Sequence, residues 1–600
     1  MTSRPAPSPH LNAPTWACAL GVSLVVAGIL LLIAGADVHR TLGDTDDAMR
    51  LVNVRALMDG QGWWDQRVAR LQPPIGMDMH WSRLIDGALV GMTTFFELLM
   101  ERPRAEDATR MIWPLLWVFP AAWAAMSIAR RFGGGQAMAL CALLLIINPL
   151  LFGQWRPGRI DHHDVQIALT LAALAGAVRG DRAGALLAAL TSALALAVGL
   201  ECLPFVGLIG AGLALRFVLA PADGARPAAA YAVALPAALT LLYAVQTAPS
   251  RWATPFCDAL GANLWGAVMI AGVGLCGVIA WSQNKSLTAR LAALGAVGVA
   301  AAFAYLAPEP RCLGGPLGAV DPALRAIWLL QVDEMQPLLT TLISQHSDQA
   351  AAALVMIVLG VAGWIWLGVR GWSRDFGWMM AGACLIAGLV AALQAGRIAN
   401  YPFWIAAPLV AAGLAVVSAW WFRGALLPGV ALLCLTSQAV LLPALDAAPG
   451  WKQPVSAAAA DPERCDLDVA YAHLASQPKG LVLAEIDLGP FILADTVHSV
   501  VSAPYHRAER GILGANTALA STPQNDEAAV RSLGVDYVVA CPARRKNRNH
   551  EGLGAASLQM RLDRGEVPAW LEPRSTATEA LQIYAVSAAP TAQSINLRVR

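Results

Sequence analysis

Apolar and polar residues along this chain come in long blocks rather than in short alternations. Runs of about 20 apolar residues, the length a helix needs to cross a bilayer, fall near 15–36, 108–129, 134–153, 164–179, 182–200, 202–220, 228–247, 263–281, 287–306, 351–370, 376–395, 402–421 and 425–444. The pattern predicts a polytopic α-helical membrane protein with about 13 transmembrane helices. In the first run an Ala-Gly-Ala precedes Asp37, which fits a cleavage site. The run is long for a signal sequence, however, and is read as a retained anchor.

Between these blocks lie three polar stretches: a first loop at 37–107, a second at 307–350 and a tail at 446–600. In the tail, strand-like runs at 481–486, 498–503, 535–541 and 581–586 alternate with helix-permissive segments, as in a small α/β domain. The expected organisation is a transmembrane domain over 1–445, carrying the two large loops, followed by an extracytoplasmic α/β domain over 446–600.

Composition agrees with this reading. Of 600 residues, 57% are hydrophobic and 14% charged, with a net charge of +1. Soluble domains carry about a quarter charged residues, so a soluble multidomain enzyme is excluded. The balanced charge gives no reason to expect nucleic acid as a partner. Its distribution is informative, because basic residues gather in alternate short loops: Arg130 and Arg131, Arg179 and Arg182, Arg216 and Arg226, Lys285 and Arg290, Arg370 and Arg374, and Arg423. By the positive-inside rule those loops and the N-terminus are cytoplasmic, and an odd number of spans leaves the tail outside. A bacterial inner membrane with a periplasmic tail is the expected location. None of the ten cysteines forms a Cys-x-x-Cys pair. Four lie outside the apolar runs, Cys257, Cys312, Cys465 and Cys541, and a Cys465–Cys541 bridge within the tail is expected.

Four polar clusters fall on the predicted outer side. The first loop opens with Asp44, Asp46 and Asp47, followed by Arg50 and Arg55 at helical spacing. Three carboxylates this close repel unless a cation or an arginine compensates, although acidic residues also suit a helix start. The second cluster is Asp161, His162, His163 and Asp164, a hard oxygen beside an imidazole that suits Mn2+ or Mg2+. The third is Asp333 and Glu334 in the second loop. In the fourth, Arg397 sits at the outer end of an apolar run, where an arginine either snorkels or holds a lipid phosphate. Trp63, Trp64 and Trp81 in the first loop suit sugar stacking or, more simply, interfacial anchoring.

In motif order the chain resembles the GT-C class of membrane glycosyltransferases, and within it the catalytic subunits of oligosaccharyltransferases, including the bacterial single-subunit enzymes. Asp-Thr-Asp-Asp-Ala-Met-Arg (44–50) is similar to the family's acidic first-loop motif. Ile-Asp-His-His-Asp (160–164) is similar to its second Asp-x-Asp or Asp-x-His motif. Gln-Val-Asp-Glu-Met-Gln-Pro (331–337) resembles the loop motif built around a glutamate, and Gly-Arg-Ile-Ala-Asn-Tyr-Pro (396–402) the arginine segment. The resemblance implies a GT-C fold, with Asp44, Asp46, Asp161, His163 and Glu334 holding Mn2+ or Mg2+. Asp46, Asp47 and Glu334 would be the catalytic carboxylates, and Arg397 would hold the phosphate of a polyprenyl-linked sugar donor in the membrane lipid. The register among Asp44, Asp46 and Asp47 stays open. The glycan would pass with inversion to a protein, lipid or glycan acceptor. The family's Trp-Trp-Asp-Tyr-Gly motif is missing. Its nearest counterpart, Glu-Ile-Asp-Leu-Gly-Pro (485–490), keeps only Asp487 and Gly489. Two alternatives are a GT-C transferase of a single sugar from a polyprenyl monophosphate and a transporter or flippase. The second predicts charges at span centres, whereas here they lie at span ends.

Overall fold

The computed structural model describes residues 13–588 apart from 283, 346, 422–424, 436, 438–439, 441–442, 444–464, 466 and 543–552. Arg423 and the domain boundary expected at 445–446 lie outside the described residues. The chain divides into two compact units: residues 1–39, 53–66 and 80–455, and residues 40–52, 67–79 and 456–600.

The first unit is a helical bundle. Its helices are α1 (Thr15–Ala34), the second half of α2 (Thr45–Met58), α3 (Arg83–Glu97), α4 (Arg102–Ile147), α5 (His163–Arg179), α6 (Arg182–Val198), α7 (Leu203–Leu219) and α8 (Pro221–Gln246). They continue with α9 (Ala262–Ser282), α10 (Leu287–Leu306), α11 (Pro322–Ile327), α12 (Leu338–Gln345), α13 (Asp348–Leu367), α14 (Phe376–Ala392), α15 (Asn400–Trp421) and α16 (Leu426–Leu435). The apolar runs fall on these helices, the last being described only over α16. Among the described residues, seven helices are long and apolar enough to cross a membrane, and α6, α7 and α14 are shorter apolar helices.

At 46 residues α4 is too long for one span, and it breaks at Gly133 and Gly134, the latter at φ 66°. The two runs read as separate spans therefore lie on either side of a glycine break. A side chain at Gly133 would also meet the Cβ of Ala415 on α15 at 3.2 Å.

The basic loops meet at one end of the bundle. Arg131 pairs with Asp375 at 2.8 Å, Arg130 donates to Ala13 O at 2.7 Å, and Arg216 donates to Gly180 O and stacks over Phe376 at 4.9 Å. From that end α6 and α14 run to the opposite end, and α5, α7 and α15 start there. The segments after α6, before α5 and before α15 are thus brought together far from the arginine-rich loops.

The second unit is built on a five-stranded sheet of β3 (Leu481–Ala484), β4 (Ser499–Val500), β5 (Tyr537–Ala540), β6 (Leu571–Pro573) and β7 (Gln582–Val586), preceded in the chain by the β1–β2 ribbon (Arg67–Val68, Met77–Asp78). Strand order is β4-β3-β5-β7-β6, with β3 parallel to β4 and β5, and β7 antiparallel to β5 and β6. Leu483, Val538, Ala540, Leu519, Leu558 and Tyr584 form its core. Part of the first polar loop belongs here. Residues 70–72 pair along the free edge of β4, through Val500 N–H to Arg70 O at 2.9 Å and Gln72 N–H to Val500 O at 2.8 Å. An open strand edge is a pairing hazard, and this segment covers it. Cys465 and Cys541 are bridged as expected, and Cys257 is bridged to Cys312 in the first unit.

Candidate active site

Two tightly packed aromatic groups position the polar end of the bundle. Trp155 and Trp404 are fully buried, with Phe152 against both at 5.8 and 5.0 Å between ring centroids. Trp404 Nε1 donates to Leu151 O at 3.0 Å, which ties the loop before Asp161 to α15. Phe205 stacks on Tyr401 at 5.0 Å, which ties the start of α7 to the start of α15.

Between them runs a chain of charged side chains. Asp161 Oδ1 lies 2.5 Å from His162 Nδ1, and Asp161 Oδ2 lies 3.2 Å from His163 Nε2. The other ring nitrogen of His163, Nδ1, lies 3.3 Å from Glu201 Oε2. Glu201 Oε1 pairs with Arg397, and Tyr401 Oη lies 3.5 Å from Glu201 Oε2. Charges are costly to bury unless paired, and here each carboxylate lies beside a histidine or an arginine. Side-chain exposure rises along the chain, from 2% at Asp161 to 28% at Arg397, so the arginine is at the open end. Burial alone would raise the Glu201 carboxyl, but Arg397 and His163 hold it below the usual carboxylate range. The N-termini of α5, α7 and α15 lie at this cluster, and helix N-termini favour anions.

Two of the sequence candidates, Asp161 and His163, are thus brought together, with Arg397 joined to them through Glu201. Glu334 sits in a short 3₁₀ turn (Asp333–Met335) and is exposed. The backbone beside it is fixed to the arginine segment by Gly396 N–H donating to Gln336 O at 2.7 Å. Trp63 and Trp64 both donate their indole N–H to Val245 O, at 2.7 and 3.1 Å, while the buried Trp81 lies 6.2 Å from the His162 ring.

In the second unit, the acidic motif starts α2. Asp44 Oδ1 accepts from the N–H groups of Asp46 and Asp47 at 3.0 and 3.1 Å, and Asp47 Oδ2 accepts from the Asp44 N–H at 3.4 Å. Asp44 and Asp47 form this reciprocal cap, and Asp46 is half-buried in the first turn. Gly489 has a packing reason to be glycine, because a Cβ there would lie 2.2 Å from Ser502 O.

No protein-family model matches the sequence, and no curated protein matches it. Solved structures do. The archaeal oligosaccharyltransferase AglB from Archaeoglobus fulgidus, in complex with an inhibitory peptide and a dolichol-phosphate, superposes with a TM-score of 0.65 at 14% identity, over 95% of this chain and 74% of that one. The chain has the GT-C fold of the oligosaccharyltransferases. The apo form of the Archaeoglobus fulgidus enzyme gives a TM-score of 0.65 at 15% identity, over 97% of this chain and 75% of that one. Its complex with Zn and sulfate gives 0.57 at 17%, over 95% and 73%.

Glu201 is the residue that sequence reading missed. It is a lone glutamate in Gly-Leu-Glu-Cys-Leu-Pro, at the junction of two apolar runs. An ionisable residue inside an apolar stretch is by default a functional candidate, and that signal was present. It stands apart in the sequence from every cluster of charge.

Proposed function

We propose that the chain is a membrane glycosyltransferase that moves a glycan from a polyprenyl-(pyro)phosphate carrier to an acceptor on the outer face of a bacterial inner membrane. The observation that carries this reading is the Asp161–His163–Glu201–Arg397 chain, buried at Asp161 and partly open at Arg397, at one end of an oligosaccharyltransferase-type bundle. The partly open Arg397 offers a planar guanidinium suited to phosphate, and the three helix N-termini add positive potential beside it. The AglB neighbour holding a dolichol-phosphate and a peptide supports a lipid-linked donor and a peptide acceptor. Without the two tryptophans of the acceptor motif, an Asn-x-Ser/Thr acceptor is not assigned.

The donor set suits Mn2+ or Mg2+. Adjacent ligands of an octahedral ion with bonds of about 2.1 Å are about 3.0 Å apart, and Asp161 Oδ2 and His163 Nε2 are 3.2 Å apart. Glu201 at Nδ1 leaves Nε2 as the donor atom. From the motifs rather than from distances, Asp44, Asp46 and Glu334 are assigned to the same ion. When bound, the cation would neutralise charge as phosphate leaves. Asp161 and His163 hold their donor atoms in place, and Arg397 binds the departing phosphate. Asp46, with Asp47 or Glu334, takes the acceptor proton as the acceptor–anomeric-carbon bond forms and the carbon–oxygen bond to phosphate breaks, with inversion. The two disulfides support an outward-facing second loop and tail, because bridges persist in oxidising compartments.

Purified protein given a labelled polyprenyl-linked glycan and a peptide, with and without EDTA, tests this. Asp161→Ala and Arg397→Ala are each expected to cut transfer by at least about 100-fold, the scale of losing one charge-stabilising group. Transfer that survives EDTA removes the cation, and an active Arg397→Ala removes the phosphate role.

A further inference from the structure

Resting on that reading of the site, we infer that Glu201 is a positioning residue that couples the cation-binding histidine to the phosphate-binding arginine. One carboxylate serves both ends. Oε2 faces His163 Nδ1 at 3.3 Å, and Oε1 pairs with Arg397. It is held from a third side by the Tyr401 hydroxyl at 3.5 Å, on a ring that stacks against Phe205. The carboxylate is 13% exposed, and His163 is 9% exposed.

Two consequences have opposite signs. A carboxylate that accepts the Nδ1 proton fixes the ring orientation and raises the basicity of Nε2, and loss of such a partner weakens metal binding by about 10–100-fold. The same carboxylate neutralises Arg397 and sets a negative charge where phosphate must arrive, so it weakens anion binding. Glu201→Gln keeps the shape and removes the charge. It is therefore expected to weaken the cation and tighten the phosphate. A residue that merely held the fold would weaken both.

The experiment uses the full-length protein in lipid nanodiscs. Mn2+ binding is read by electron paramagnetic resonance, and undecaprenyl phosphate binding by quenching of tryptophan fluorescence in metal-free buffer. Inorganic phosphate serves as a second probe that separates the anion from its lipid tail. For Glu201→Gln the expected result is a Mn2+ Kd raised at least about 10-fold and a Kd for both phosphate probes lowered by at least a few-fold. Glu201→Asp, which keeps the charge, is expected to restore wild-type phosphate affinity. Unchanged Mn2+ affinity in Glu201→Gln, or weakening of Mn2+ and phosphate together, overturns the inference. Wild-type protein that binds no Mn2+ overturns the coupling as well. Opposed shifts in a protein that transfers no glycan would leave the role of Glu201 standing and sink the proposed reaction.

Discussion

Helices α10 and α15 look alike in the sequence and differ in almost everything else. Their apolar windows have mean hydropathies of 1.7 and 1.9. Yet no part of the α10 window is buried within the protein, whereas 78% of the α15 window is. α15 packs against α4, α13 and α14, and its N-terminus presents Tyr401 just after Arg397. α10 leans on α9 and leaves Val299 and Phe303 exposed. Hydropathy reports the solvent a helix tolerates. It does not report the neighbours, and neither does small-residue content, since α10 carries more Ala and Gly than α15. What differs is the close backbone packing by which helices in lipid associate. The helix whose start supplies Tyr401 to the charged cluster is the mostly enclosed one.

The glycines carry the contrast. On α13, a Cβ at Gly360 would lie 2.4 Å from the Cβ of Ala406, and one at Gly363 would lie 2.4 Å from Leu409 O. From the α15 side, a Cβ at Gly413 would lie 2.8 Å from the Cα of Gly363. These backbones touch, and the neighbour at Gly363 is a carbonyl that cannot swing away. Gly363→Leu is the largest effect expected. Overpacking costs about 1–3 kcal/mol where side chains can shift, but here the neighbour is backbone, so the α13–α15 contact itself is lost. The measurement is size-exclusion chromatography in detergent, where the monodisperse peak is expected to be lost. A normal peak and an unchanged Tm would contradict the α13–α15 contact.

Trp404→Ala comes next. It removes a fully buried indole, its contacts with Phe152 and Trp155, and the hydrogen bond to Leu151 O. Truncating a buried aromatic costs about 3–5 kcal/mol. The protein is expected to remain folded with a lower Tm, and the loop before Asp161 to loosen, so that Mn2+ binding weakens with stability. Trp420, exposed near the other end of the same helix with the Arg370 guanidinium over its ring at 3.6 Å, is the matched control. Trp420→Ala is expected to cost no more than about 0.5–1 kcal/mol, the worth of an exposed cation–π contact, and to leave Mn2+ binding unchanged.

How far the sequence revealed this arrangement depends on what set each feature. Helical runs and their alternation were legible, because the bilayer imposes length and hydropathy on each segment separately. So was the pairing of Asp161 with His163, two residues apart at a helix start. The Cys465–Cys541 bridge followed from both lying in one predicted domain. Other features needed contacts between distant segments. Glu201 stood out in the sequence only as an ionisable residue between apolar runs, and its partners appear where the end of α6 meets the starts of α5 and α15. Residues 70–72 read as loop, and only the sheet reveals that they cover the edge of β4. Asp44 and Asp47 read as members of an acidic cluster, and their hydrogen bonds identify them as a helix cap.

The smallest expected effect is also the sharpest check on the comparison. Gly295 and Gly298 lie on α10, and a Cβ at either would meet nothing within 4 Å. Gly298→Leu adds a side chain that faces lipid. It displaces no protein atom, and leucine favours bilayer insertion by about 0.3–0.6 kcal/mol on the insertion scale. Substitutions that touch nothing usually fall within about 0.5 kcal/mol, so the Tm should stay within about 2 °C of wild type. The same leucine that breaks the bundle at Gly363 should pass unnoticed here. If Gly298→Leu instead lowers the Tm or splits the chromatographic peak, the open face of α10 is covered in the membrane. α10 would then be an interface helix, and its difference from α15 would be one of partner rather than of burial.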